Sequence, residues 1–295
     1  MSGKYLIITA DDFGSSTAVN RAVVKGWQDG ILTGASLMVT GAACGEAVEL
    51  ARHNPGLQVG LHLTLVQGRS LLEHGGFPAL THRDGDFPND PLLAGMRMLF
   101  LKPLHRQLRR EIEAQLDRFA ATGLALSHID GHRNMHMHPT VFAILCQLLP
   151  HYGISTFRLS RERLGSELRL SCGRAVGKAA DAFIFGRLAG RCRPELQRHR
   201  IGFAAEVKGL LNSGRMTEEY LLKALDTLQE GVTEIYLHPA ASDDPLVPDY
   251  RQTAELAALL SRKVRDKVDS LGIILCNYRG DLKKNTLQGR NTLRV

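Results

Sequence analysis

Aspartates and histidines follow short apolar runs at four places in this chain. Asp11 and Asp12 follow the run 5–10, His62 follows 57–61 and His238 follows 235–237. Carboxylates and imidazoles are ligands of hydrolytic metal sites, and they also act as general bases and acids. The pattern therefore indicates metal-dependent hydrolysis, provided that the fold brings these side chains together. The fourth and densest group lies within eleven residues and contains His128, Asp130, His132, His136 and His138.

The adjacent carboxylates of Asp11 and Asp12 allow two interpretations. Neighbouring residues of a strand point to opposite sides, so the two share a site only if the chain curls there. One would then bind a metal while the other faces bound water. The alternative is an Asx turn that begins a helix, because Gly14 and Ser15 follow.

The histidines also allow alternatives when each is taken alone. In a helical turn His132 and His136 would share a face, whereas in an extended segment His136 and His138 would. Asp130 is either a ligand or the acceptor that orients a ligating imidazole. An isolated His62 in an apolar strand is more often a hydrogen-bonded core residue. His238, at a strand end, suits either a general acid or a turn residue.

Alternating strands and helices must position these residues. Residues 66–91 lack periodicity and are expected to form a long loop. Apolar runs predict strands at 4–10, 35–40, 57–63, 126–129, 154–159, 233–237 and 271–276. Helical spacing and end signals predict helices at 17–29, 46–53, 103–122, 139–150, 175–188, 217–229 and 251–270.

Repeated strand–helix units predict a parallel α/β sheet. About seven strands suit a TIM-barrel-like (β/α) barrel, distorted or incomplete, with a doubly wound open sheet as the alternative. No GxGxxG motif follows the first strand, which argues against a dinucleotide site. We expect one domain over residues 1–295, with a basic, partly helical insertion around 160–200.

The formal net charge of +7 is concentrated in one segment. Residues 158–200 contain eleven basic and four acidic side chains, which accounts for the whole excess. Such a segment favours contact with an anionic membrane or another polyanion, although a solvated basic face is an equal alternative. No aromatic-interleaved basic motif is present, so nucleic acid is not an expected partner. Without a signal sequence or a long apolar stretch, we expect a cytoplasmic protein with peripheral membrane contact.

Four motifs together resemble a known family, the YdjC-like carbohydrate deacetylases, which include the chitooligosaccharide deacetylases. They are TADDFG at 9–14, GLHLT at 60–64, HIDGH at 128–132 with HMHP at 136–139, and LHP at 237–239. The resemblance covers nearly the whole chain. Within the family, the chain is most similar to the hopanoid-biosynthesis-associated branch.

The resemblance implies a TIM-barrel-like fold and a divalent metal, with Zn²⁺ favoured and Mg²⁺ the alternative. Asp12, His62 and His132 match the family's metal ligands, and Asp11 matches the presumed general base. His238 resembles the acid of related deacetylases. Substrate-binding or supporting roles are implied for the remaining residues of the site, Asp130, His136 and Arg158.

The expected reaction removes the N-acetyl group from an N-acetylglucosamine-type sugar and releases acetate and a free amine. The resemblance implies a glycosylated lipid, the N-acetylglucosaminyl headgroup of a hopanoid, with an anionic membrane contacted through residues 158–200. The alternatives are a chitooligosaccharide deacetylase, another metal-dependent hydrolase or isomerase on the same barrel, and a lipid-binding protein without enzymatic activity. The last leaves the Asp and His motifs unexplained.

Overall fold

A parallel β-sheet surrounded by helices forms the framework of the molecule. The computed structural model describes residues 3–73, 80–171 and 173–280. Its strands are Lys4–Phe13 (β1), Gly34–Leu37 (β2), Gln58–Leu63 (β3), Leu126–Gly131 (β4), Glu206–Lys208 (β5), Gly231–Leu237 (β6) and Ile274–Leu275 (β7). Its α-helices are Thr17–Gln28 (α1), Cys44–His53 (α2), Pro91–Phe100 (α3), Lys102–Ala121 (α4), Pro139–Leu148 (α5), Leu164–Leu170 (α6), Ala175–Arg198 (α7), Glu218–Asp226 (α8), Gln252–Leu260 (α9) and Arg262–Ser270 (α10).

The sheet curls into an incomplete barrel, which confirms the predicted fold class. Its strands are hydrogen-bonded in parallel in the order β4-β3-β2-β1-β6-β5, and β7 pairs with the beginning of β1. The segment 154–158 bridges the remaining gap between β4 and the chain before β5. It does so only through isolated bridges, Ile129 to Phe157 and Thr156 to Gly202. The prediction of a regular fifth strand at 154–159 is therefore wrong.

The central strand β1 fixes the position of the first motif. It pairs with β6 over seven consecutive residues, from Lys4 opposite Gly231 to Ala10 opposite Leu237. Residues 6–11 are all buried, as expected for a strand covered on both faces. The strand runs three residues further than predicted and therefore includes both aspartates.

Outside the basic segment, the helices at 91–100 and 251–270 differ from the sequence prediction. The expected single helix at 251–270 is two helices, because Ser261 adopts an extended backbone and begins α10 as its N-cap. Helix α3 was not predicted, because its sequence is apolar on all sides and shows no clear period. No helix or strand occurs in the described parts of 66–90, as expected for the long loop.

The basic segment forms α6 and α7 on the outside of the barrel. Helix α7 runs ten residues beyond the predicted end at 188, with Pro194 inside it. Among the described residues, no helix is long and apolar enough to cross a membrane. Residues 1–2 and 281–295 of the expected 1–295 domain lie outside the described part, so this domain boundary stays a prediction.

Candidate metal centre and active site

A kink at the end of β1 brings both aspartates to one site. The pairing of β1 with β2 shifts register between Ala10 and Phe13, and Asp12 has a left-handed backbone with φ of 63°. This conformation is uncommon for a residue other than glycine. The chain curls here as a shared site requires, so Asp11 and Asp12 take adjacent rather than opposed positions.

Asp12, His62 and His132 form a compact cluster of potential metal ligands. One ligand atom from each lies within 4.8 Å of the others. Asp12 Oδ1 is 3.3 Å from His62 Nε2 and 3.1 Å from His132 Nδ1. His62 is buried, whereas the Asp12 and His132 side chains are 18% and 17% exposed. The cluster is therefore closed behind and open on one side, where water and a substrate can enter.

Asp130 orients His62 from behind. His62 Nδ1 donates to Asp130 Oδ1 at 2.9 Å, which leaves Nε2 directed toward Asp12. That buried Nε2 makes no hydrogen bond with any described residue. A carboxylate on the far nitrogen of a ligating histidine is the usual support of a metal site. These side chains therefore fit a divalent metal, and two imidazoles with one carboxylate suit Zn²⁺ in particular.

The charges of the cluster also favour a cation between its carboxylates. Burial lowers the pKa of His62, but the Asp130 and Asp12 carboxylates outweigh burial and raise that pKa to about 10. Burial raises the pKa of Asp12, yet the imidazoles of His132 and His62 hold it well below its usual value. Positive charge is therefore stabilised at this position, as a metal-binding site requires.

Asp11 lies beside the ligand cluster and is held by Arg158. Arg158 Nη1 donates to Asp11 Oδ2 at 2.7 Å and Nη2 donates to Asp11 Oδ1 at 2.8 Å. The Ser36 hydroxyl also donates to Asp11 Oδ1, at 3.1 Å. A carboxylate can accept about four hydrogen bonds. The contacts to these residues therefore leave one lone pair of Asp11 Oδ2 able to accept a proton.

Arg158 is the centre of a buried ionic network. Its side chain is 1% exposed and also pairs with Asp130 at 2.7 Å and Glu234 at 2.8 Å. Burial lowers its pKa, but Asp11, Asp130 and Glu234 outweigh burial and hold the pKa well above its usual value. The Arg158 side chain is thus placed behind Asp11 and away from the open side of the site.

Sequence reasoning missed Glu234 and Ser36, although both support this network. Glu234 accepts from Thr9 at 2.8 Å and from the Tyr278 hydroxyl. The single proton of the Ser36 hydroxyl is shared between Asp130 Oδ2, at 2.7 Å, and Asp11 Oδ1, at 3.1 Å. The one available signal for Glu234 was a charged residue inside the apolar strand β6. A lone serine in β2 carries no comparable signal.

His238 reaches the same end of the sheet. Since Leu237 pairs with Ala10, His238 follows at the level of Asp11 on the neighbouring strand. Its ring contacts Tyr250, with centroids 5.0 Å apart, and its backbone N–H donates to the Glu255 carboxylate. Burial lowers the pKa of His238, and the nearby carboxylates of Asp12 and Asp11 only partly offset this effect. Neither Tyr250 nor Glu255 stood out in the sequence.

The other histidines of the dense group have different surroundings. His136 Nε2 donates to the Arg158 carbonyl at 2.9 Å, and burial lowers its pKa to about 4. His128 stacks on Tyr278, with ring centroids 4.4 Å apart. Of the group's four histidines, only His132 lies in the ligand cluster, because the 3-10 segment His132–Met137 turns the chain away from it.

Comparisons with known proteins find relatives over nearly the whole chain. The family model described as YdjC-like protein matches residues 5–270. A carbohydrate deacetylase of Geobacillus stearothermophilus is 29% identical over 282 residues, covering 94% of this chain and 97% of that protein. A chitooligosaccharide deacetylase of Salmonella schwarzengrund is 29% identical, covering 91% and 96%.

A solved structure shares the fold. It is a proposed cellobiose-phosphate cleavage protein of Enterococcus faecalis V583, with a TM-score of 0.70 and 24% identity. The match covers 94% of this chain and 98% of that one. The incomplete parallel barrel is therefore an architecture also found by crystallography.

Proposed function

Since the chain belongs to the YdjC-like protein family, we propose that it is a carbohydrate deacetylase, a hydrolase that removes the acetyl group from an N-acetylated sugar. One observation carries the proposal. The possible metal ligands Asp12, His62 and His132 stand beside a separate carboxylate, Asp11, and a separate imidazole, His238. Amide hydrolysis needs these three functions, which are an electrophile, a base and an acid.

A divalent metal held by Asp12, His62 and His132 would polarise the acetamide carbonyl and acidify a water molecule. Asp11 accepts the proton of the attacking water at Oδ2, and the two hydrogen bonds from Arg158 hold the Asp11 carboxylate in its orientation. His238 donates a proton to the amine nitrogen as the C–N bond breaks. Water is consumed, acetate and a free amino sugar leave, and return of the Asp11 proton to His238 through solvent restores both groups.

The ligand set favours Zn²⁺, with Mg²⁺ as the alternative. Two imidazoles and one carboxylate suit zinc, whereas magnesium prefers an oxygen-rich, partly hydrated site. Metal content after purification, measured by mass spectrometry, decides between the two ions.

For the sugar, we propose the N-acetylglucosaminyl headgroup of a hopanoid lipid. The sequence resemblance to the hopanoid-associated branch supports this choice. A second observation is that helix α3 has an exposed apolar surface. The helix packs against the 3-10 segment that begins with His132. Chitooligosaccharide is the second candidate, favoured by the name of the Salmonella relative.

The decisive experiment joins metal analysis with acetate release. Metal-loaded protein is assayed on N-acetylglucosaminyl hopanoid and on diacetylchitobiose, and we expect acetate from the first. Release from diacetylchitobiose alone would make a chitooligosaccharide, and not the hopanoid, the substrate. Absence of acetate from every N-acetylated sugar tested would overturn the deacetylase assignment.

Two aspartate variants separate metal binding from proton transfer. Asp12→Asn should lose both metal and acetate release. Asp11→Asn should keep the metal and lose about 10²- to 10⁴-fold in rate, the usual contribution of a general base. His151→Ala, a change at an exposed histidine outside the site, is the control and should alter neither. A normal rate for Asp11→Asn would contradict the assigned base.

A further inference from the structure

Helix α3 is apolar on the side that faces solvent as well as on the side that faces the core. Ala94 and Met98 are buried, and Arg97 is the only charged residue within the helix. A helix that is apolar all round is normally covered on every side. The outer side of α3 is open instead, with exposed fractions of 44–73% for Leu92, Leu93, Met96, Leu99, Phe100 and the adjoining Leu101.

Helix α7 presents a second exposed stripe. Val176, Phe183 and Ile184 are 51–86% exposed, and they are followed on the same helical face by Arg187 and Arg191. These four residues follow Val176 by seven, eight, eleven and fifteen positions. At 3.6 residues per turn, they lie with Val176 along one side of the helix. The stripe is therefore apolar toward the start of α7 and cationic further along.

The two helices border one cavity of about 570 Å³. Leu99 comes from α3 and Arg191 from α7, while Arg106 and Arg109 of α4 add two further cations. Arg109 is engaged by Glu113 and Gln147. Neither Arg106 nor Arg191 forms an ion pair with any described residue. The lining of the cavity thus combines apolar side chains with two arginines, Arg106 and Arg191, whose charges are not paired with a described carboxylate.

We propose that α3, α7 and this cavity form a docking surface for an anionic phospholipid membrane. The apolar side chains of both helices enter the lipid, and Arg106, Arg187 and Arg191 bind headgroup phosphates. A guanidinium is well suited to phosphate, and apolar residues beside cations are typical of helices that lie on membranes. A second copy of this chain fits the surface poorly, because it would bring the same cations into contact.

The docking surface adjoins the metal centre. Both α3 and α7 pack against the 3-10 segment His132–Met137, which begins with a proposed metal ligand. Docking would therefore hold the open side of the site near the membrane, where the headgroup of a glycolipid protrudes. The inference goes beyond the proposed function, since membrane binding requires no catalysis.

Co-sedimentation with vesicles tests the proposal. We expect the protein to bind vesicles of phosphatidylcholine mixed with phosphatidylglycerol, to bind pure phosphatidylcholine much more weakly, and to dissociate as salt rises. The double variant Leu92→Ser/Phe100→Ser should weaken binding about tenfold or more, because both side chains would have entered lipid. The single change Leu246→Ser, at an exposed leucine outside α3 and α7, is the matched control and should bind normally.

A charge reversal tests the cationic half of the surface. Arg106→Glu/Arg191→Glu should also weaken binding about tenfold or more, since each reversal replaces attraction to an anionic membrane by repulsion. Arg262→Glu, on α10, is the control for charge. All variants should release acetate from detergent-solubilised N-acetylglucosaminyl hopanoid at the wild-type rate, so that a loss of vesicle binding is distinguished from a loss of deacetylase activity.

Three outcomes would overturn the docking surface. The first is no binding of the wild type to anionic vesicles at low salt, and the second is equal binding by the variants and their controls. The third is a dimer, seen by light scattering, that dissociates in Leu92→Ser/Phe100→Ser. That result would assign the apolar surface to a second copy of the chain.

Discussion

At the scale of single residues, Arg158 offsets part of the charge of three buried carboxylates. Asp11, Asp130 and Glu234 all pair with its guanidinium. Removing the cation would leave these charges uncompensated in a dry environment. Loss of one partner of a buried ion pair typically costs about 3–5 kcal/mol.

Arg158→Gln should therefore lower the free energy of unfolding by about 3–5 kcal/mol, measured by urea denaturation at neutral pH. Arg262→Gln, at an exposed arginine, is the control and should change it by less than about 0.5 kcal/mol. If the first variant does not fold, Arg158→Lys keeps the charge but loses the planar fork. It should fold with reduced activity, and normal activity would contradict the role assigned to Arg158.

His136 predicts a pH dependence of stability. Its folded-state pKa of about 4 lies below its usual 6.5, because burial disfavours the charged form. Between these values the unfolded chain binds more protons than the folded one, so stability should fall as pH falls from 6.5 to 4. The contribution of this single group is about 3 kcal/mol.

His136→Gln should flatten this pH profile, since glutamine can still donate to the Arg158 carbonyl but does not titrate. Thermal or urea unfolding measured from pH 6.5 to 4 gives the slope of stability against pH. His151→Gln, at an exposed position, is the control and should leave it unchanged. An unaltered slope in His136→Gln would show that other groups govern acid stability.

The grouping of polar residues at strand ends could be predicted, because parallel strands end at one edge of the sheet, whereas the ligand roles follow from the family resemblance and stay predictions. Asp12, His62 and His132 stand out as polar residues at strand ends. The partners behind them could not be predicted, because contacts such as Arg158 with Glu234 join residues far apart in the chain. A lone charged residue in an apolar strand signals a buried partner without identifying it.

At the scale of elements, capping and periodicity predicted most helices and strands to within a few residues. The break at Ser261 was missed because apolar spacing continues on both sides of it. The Ser261 hydroxyl accepts from the Val264 N–H at 3.3 Å and so caps α10. Helix α3 was missed for the opposite reason, since uniform apolarity gives no period.

Ser261→Ala should lower the free energy of unfolding by about 1 kcal/mol, because an orphaned N–H at the start of α10 loses its acceptor. Ser270→Ala, at the other end of the same helix, is the control and should change it by less than about 0.5 kcal/mol. Urea denaturation measures both. Equal effects would indicate that the cap does not stabilise the break.

At the scale of the whole molecule, the barrel is least continuous between β4 and β5. Bridges of 154–158 to Ile129 and Gly202 close it there, whereas β1 and β6 pair over seven residues. The repeated strand–helix pattern predicted the barrel. It could not predict this irregular closure, because residues 154–159 have the mixture of β-branched, aromatic and polar side chains of an ordinary strand.

Native-state hydrogen exchange should detect this difference. The amides of Phe157 and Arg158 should open with a smaller free energy than those of β1 and β6, because fewer neighbouring hydrogen bonds hold them. Amides at the centre of β1 serve as the internal reference. Equal protection in both regions would show that the bridges open only when the whole barrel unfolds.

The position of Arg158 within that closure has an evolutionary consequence. Its backbone N–H donates to Ile129 of β4, while its side chain reaches Asp11 of β1 and Glu234 of β6. The same residue thus completes the ring and holds the proposed base. Replacing Arg158 cannot raise stability at the expense of activity, since the replacement lowers both. A descendant that adopted a different base partner would keep this backbone link to β4, but it would also need another cation beside the buried carboxylates of Asp130 and Glu234.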